Sequence, residues 1–67
     1  MLLTIELVDR LWHLRQSDQD PVAGFASGAQ AYDTAAELAH RHHARTGQAC
    51  VVQVAVASAR VEALRVG

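Results

Sequence analysis

The run "SGAQAYDTAAELAHRHHARTG", Ser27 to Gly47, constrains this chain more than any other feature. Ser27 is followed three residues later by Gln30. In a capping box of that spacing the Ser hydroxyl accepts from the N3 backbone N–H, and the Gln side chain returns to the Ser N–H. Gly47 stands where a left-handed residue closes a helix, and Phe25, just before the cap, is placed to pack on the first turn. The expectation is a helix over residues 28–46. Its wheel puts Ala31, Ala35, Leu38 and His42 on one stripe, with Ala39 beside it. Asp33, Glu37, His40 and Ala44 lie opposite. A stripe of mostly small side chains lets a helix sit close to a sheet, so this one is expected to lie flat on one.

The rest of the chain supplies that sheet. Val52, Val54 and Val56 alternate with Gln53 and Ala55, the period of a strand, and β-branched residues favour one. Ala57-Ser58-Ala59-Arg60 reads as a turn without an Asn-Gly signal, and Val61 to Val66 as the returning strand. Ser17 to Pro21 is a turn on composition, and Val22 to Ala26 a short strand. The segment 2–16 fits two architectures. As a helix it lines up Leu3, Leu7, Leu11 and Leu14, with Glu6 four residues before Arg10. As two strands it alternates Leu3, Ile5 and Leu7, then Trp12 and Leu14. Periodicity leaves both open.

Sixty-seven residues make a single domain, 1–67. A chain this short buries roughly 60% of the surface it exposes when unfolded. Its apolar fraction of 51% is ordinary for a globular fold. One cysteine, Cys50, allows no internal disulfide. Small domains without such a staple gain stability by association, so a homodimer is expected. The first residues mix Glu6, Asp9 and Arg10 into the apolar ones, with no run suited to a signal peptide or membrane span. The expectation is a cytoplasmic protein with no membrane partner. All six basic residues are arginine and alanine is abundant, a composition that fits a GC-rich bacterial or phage genome.

Taken together, residues 11–54 resemble a family of small bacterial proteins, domain-of-unknown-function family 2188. Trp12 and Leu14 fill its aromatic-x-aliphatic strand, and Phe25 ends its second strand. Ser27 is the cap, Gln30-Ala31 the first pair, Ala35 the spacer and Leu38-Ala39 the second pair. Gly47 is the stop, and Val52 and Val54 belong to the valine strand. The chain departs from the family after that strand, where Ala57-Ser58-Ala59 stands in place of an Asp-Gly turn. The resemblance implies a strand-strand-helix-strand order, which favours strands in segment 2–16, and it implies no activity.

The chemistry is sparse. Glu37 to Gly47 holds three histidines and two arginines. His40 and His43 are three apart, and Cys50 follows, which invites a metal reading. But His42 points away from His40, Cys50 lies on another element, and no paired metal-ligand motif is present. Arg41, His43 and Arg45 instead suit a helix C-terminus, where each cation contributes about 0.3–1 kcal/mol. Glu37 and Arg41 form a favourable four-spaced pair. No serine sits in a nucleophile elbow, Ser27 is taken by capping, and Cys50 reads as a small buried hydrophobe. Asp18 and Asp20 read as solvent-facing turn residues. Neither catalytic residues nor a cofactor or metal site are assigned, and an enzyme is not expected.

The expected fold is α+β: a small antiparallel sheet of three to five strands with one helix on one face, in the order β-β-α-β(-β). The expected function is a non-enzymatic protein-interaction module, of which a phage-type inhibitor of a host defence complex, anti-CRISPR-like, is one form. The candidate interaction patch is Arg41, His42, His43, Arg45 and Trp12. The alternative is nucleic-acid binding through the Arg/His-rich helix end, with Arg10, Arg15, Arg60 or Arg65 extending it. A net charge of −1 and few aromatics weigh against that alternative.

Overall fold

The computed structural model describes residues 1–16 and 21–67. In chain order the elements are β1 (Leu2–Val8), β2 (Leu11–Gln16), β3 (Pro21–Phe25), α1 (Gly28–Thr46), β4 (Cys50–Val56) and β5 (Ala59–Val66). They form a five-stranded sheet in the order β3-β2-β1-β4-β5, with α1 across one face. The α+β class and the helix bounds match expectation. Three strands precede the helix where the expected order β-β-α-β(-β) has two, because segment 2–16 supplies two strands and residues 21–25 a third. The composition-based turn at 17–21 falls largely outside the described residues, and Pro21 already belongs to β3.

Segment 2–16 is a hairpin, not a helix. β1 pairs antiparallel with β2 from Leu3↔Gln16 to Val8↔Leu11. The helical alternative would have buried Leu7 and Leu11. In the sheet Leu3, Ile5 and Leu14 are buried, while Leu7 and Leu11 are exposed. The central place of β1 decides this, because a strand hydrogen-bonded on both sides satisfies its backbone with neighbours instead of with its own turns. The hairpin loop is Asp9-Arg10, with φ of 52° and 67°. A two-residue loop needs positive φ to match strand twist. Asp tolerates that region; Arg10 is held there by the pairing on either side.

The sheet is mixed, where an antiparallel one was expected. The β1–β2, β2–β3 and β4–β5 pairs are antiparallel, but β1 and β4 run parallel, Leu3 beside Val52 and Ile5 beside Val54. The helix is the reason. It returns the chain to the end where β3 began, so β4 runs in the direction of β3 and therefore of β1.

The helix is set by its caps. Ser27 Oγ accepts from the Gln30 N–H at 3.1 Å, the first half of the capping box. Gln30 is exposed, and among the described residues its side chain makes no return bond. Gly47 takes φ 75°, and its N–H donates to the His43 carbonyl at 2.7 Å. The buried row is Ala31, Ala35 and Ala39, each fully covered. Leu38 and His42, expected on the central stripe, are half-buried on the flank. A row of residues four apart tracks the contact line more closely than the predicted stripe did, and alanine throughout brings the helix onto Leu3, Ile5 and Val52. Gly28 allows a second close approach, since a Cβ there would lie 3.2 Å from the Trp12 ring.

The face away from the helix carries polar groups across the central strands. Gln53 Nε2 donates to Thr4 Oγ1 at 3.0 Å, and Arg15 pairs with Glu6 at 3.0 Å. At the β4–β5 loop the expected four-residue turn contracts to Ala57-Ser58, and β5 begins at Ala59. Ala57 takes φ 54°.

Two substitutions test this packing in opposite directions. Ala35→Leu overfills the helix–sheet contact and is expected to lower stability by about 1–3 kcal/mol. Ala57→Gly removes a left-handed penalty of about 1–2 kcal/mol against a smaller entropic loss, so stability should rise by up to about 1 kcal/mol. Urea denaturation followed by circular dichroism reads both.

Candidate functional site

The C-terminal end of α1 and the start of β1 meet at one end of the sheet. The Met1 ammonium donates to the Ala49 carbonyl at 2.9 Å, and the Val51 N–H donates to the Met1 carbonyl at 2.9 Å. Thr46 Oγ1 donates to the His42 carbonyl at 2.8 Å and accepts from the Gln48 N–H at 3.1 Å. These bonds fix the helix end beside the first strand. Between them lies a pocket of about 190 Å³ lined by Met1, Gln16, Leu38, Arg41, His42 and Arg45. It is smaller than the roughly 300 Å³ at which small-molecule sites begin.

Three of the five predicted patch residues, Arg41, His42 and Arg45, are therefore brought together. Arg41 bonds Glu37 one turn back along the helix, with both side chains mostly in water. His42 is half-buried, and its Nε2 has no hydrogen-bond partner among the described residues. His43 turns the other way. Its Nδ1 donates to the Gln48 carbonyl at 3.0 Å, and the ring lies against Gly67, so it closes the helix end. Trp12 sits at the opposite end of α1, half-buried under Gly28 and across from Phe25. It anchors the core there and takes no part in the pocket.

The metal reading finds no geometry. His40 is exposed, His43 is engaged at the helix end, and Cys50 is fully buried in the core. Among the described residues no three His, Cys, Asp or Glu side chains gather. Burial pushes the Cys50 thiol above its ordinary pKa, with the N-terminal ammonium pulling weakly the other way. A thiol held neutral and covered is a core side chain.

A second surface was not foreseen. Among the described residues the exposed large apolar side chains are Leu2, Leu7, Val8, Leu11, Val56 and Val61. All but Leu2 lie at the end of the sheet where the two hairpin loops turn. β1 and β4 are parallel and in register, so their last residues arrive together. Leu7, Val56 and Val61 lie on the helix side, and Val8 and Leu11 face each other on the other side. The sequence held one signal for this. Leu7-Val8 are consecutive apolar residues at a strand end, so one of them must face away from the core.

No protein-family model, no curated protein and no solved structure matches this chain. No helix among the described residues is long and apolar enough to cross a membrane.

Cys50 yields a prediction with a definite sign. In the folded protein iodoacetamide should leave it unmodified, and denaturation should expose it fully. Because the folded state raises the thiol pKa, its contribution to stability is complete below the ordinary value of 9.0 and is lost as the pH climbs past it. Urea midpoints should therefore fall in that alkaline range for the native chain, and by less for Cys50→Ala.

Proposed function

We propose that this chain is a non-enzymatic protein-interaction module acting in the cytoplasm. The observation that carries the reading is the apolar end formed by Leu7, Val8, Leu11, Val56 and Val61. The described core holds only Leu3, Ile5, Leu14, Val52 and Val66 as its larger aliphatic side chains. As many are left exposed at one end as are buried in the core. Single exposed apolar residues are ordinary on a monomer, but a gathered set marks a contact surface. A phage-type inhibitor of a host defence complex, of the anti-CRISPR kind, is one form such a module takes at this size. The resemblance to domain-of-unknown-function family 2188 is compatible with this role and supplies no activity of its own.

The nucleic-acid reading is weaker on charge placement. Phosphate binding needs several cations on one face. Arg15, Arg41 and Arg65 are each paired with a glutamate. The other three are divided between two ends: Arg10 and Arg60 sit near the two hairpin loops at one end of the sheet, and Arg45 at the far end of the helix. The pocket thus gathers one arginine paired on its own helix and one that is not.

Affinity capture from bacterial lysate, with and without nuclease and read by mass spectrometry, tests the reading. A partner should survive nuclease. It should also be lost from the doubly substituted Leu11→Glu, Val56→Glu protein, whose fold circular dichroism should show intact because both positions are exposed. Partners that vanish with nuclease and persist in the double variant would overturn it in favour of nucleic acid.

A further inference from the structure

The two edges of the sheet are not equivalent. β3 is blunted: it opens with Pro21, contains Gly24, and its pairing with β2 shifts register between Leu14 and Arg15. β5 is the longest strand, with eight residues, and among the described residues nothing pairs with its outer side. Its register irregularity falls at Ala63, opposite Val52 and Gln53, so Ala59 to Glu62 form a regular stretch with a free row of backbone groups. Val61 in that stretch is exposed.

We infer that β5 is a self-pairing edge: two copies of this chain join β5 to β5 antiparallel about a twofold axis through Val61, making one continuous ten-stranded sheet. The inference rests on the interaction-module reading and names a second copy as the occupant of this edge. Charge placement selects both the partner and the register. An antiparallel twofold axis through a residue pairs that residue with its own copy, and the residues on either side with each other. Centred on Val61, the axis sets Val61 against Val61 on the helix side. On the other face it sets Arg60 against Glu62 of the second copy, and Glu62 against Arg60. Moving the axis one residue in either direction sets Arg60 against Arg60 or Glu62 against Glu62. Like charges directly opposite are unfavourable, and opposite charges favourable. Only the Val61-centred register among these makes both flanking pairs attractive while covering an exposed valine. Arg60 is available for it, since among the described residues it has no ion pair. Glu62, which accepts from Arg65 through Oε1 at 2.8 Å on the exposed face, keeps Oε2 for Arg60 of the second copy.

Analytical ultracentrifugation across a concentration series tests this directly. The native chain should sediment as a dimer that dissociates on dilution. Arg60→Glu creates two Glu–Glu contacts per dimer and should weaken dimerisation by about tenfold or more. Glu62→Arg should do the same by creating two Arg–Arg contacts. The double exchange R60E/E62R restores opposite charges and should recover most of the native affinity, a rescue that a nonspecific loss of folding would not give. Val61→Cys adds an independent reading. Directly opposed strand residues sit close to disulfide separation, so mild oxidation should give a covalent dimer. Ala57→Cys, outside the paired stretch, should not, and Cys50 is fully buried.

A native chain that stays monomeric at high concentration overturns the inference. So does a dimer that is indifferent to both charge exchanges and fails to cross-link at position 61. Either result leaves the interaction-module reading standing if the lysate partner is still lost from the Leu11→Glu, Val56→Glu protein. Loss of that partner's dependence on the apolar end, with the β5 dimer intact, would overturn the module reading as stated and leave the dimer.

Discussion

The fold depends on how close α1 lies to the middle of the sheet. Ala31, Ala35 and Ala39 present almost nothing but backbone to Leu3, Ile5 and Val52. The helix can therefore settle onto the β1–β4 pair, and the larger side chains at its edges, Tyr32 and Leu38, pack down beside it. Widening the row would lift the helix off the strands that hold the core. The parallel β1–β4 pairing belongs to the same arrangement, because the helix is the crossover that brings β4 alongside β1.

The same geometry explains what the helix cannot do. Five strands at about 4.8 Å spacing span about 19 Å, whereas a helix with its side chains is about 10–12 Å across. Crossing the sheet obliquely, α1 touches all five strands and still leaves part of the face bare. Its N-terminus is tied to β2 by the Gly28–Trp12 contact, and its C-terminus to the Gln48–Ala49 connection and Gly67. The uncovered corner lies over the ends of β1, β4 and β5, where Leu7, Val56 and Val61 remain exposed. The helix-side part of the apolar end follows from covering a wide sheet with one helix, while Val8 and Leu11 face the other side. It is this end, more than the charged helix end, that supports a binding role.

The charged stretch from Glu37 to Gly47 resolves into separate tasks. Arg41 answers Glu37, His43 and Thr46 bond the backbone around the helix stop, and Arg45 and His42 face the shallow pocket beside Met1 and Gln16. Each neighbour along a helix turns about 100° from the last, so a dense run of similar residues is dispersed around the axis. That is why His42 and His43, adjacent in sequence, act on different sides.

What the sequence determined by itself was local. Ser27 and Gly47 set the helix bounds through hydrogen bonds that reach only a few residues, and the alternating valines set β4 through a period of two. Cys50 as a covered core residue was also legible, since a lone cysteine heading a valine strand is a small hydrophobe. Tertiary structure decided the rest. Segment 2–16 carried two periods at once, and only pairing with β4 on one side and β2 on the other selected the strands. The parallel direction of β1 and β4, the tightening of the second loop to Ala57-Ser58, and the clustering of Leu7, Val8, Leu11, Val56 and Val61 likewise needed the sheet. The loop is local and follows from the β4–β5 register. The parallel pairing and the apolar end join residues about 50 positions apart, and contacts at that separation leave no period in the sequence because they are fixed only when distant strands meet.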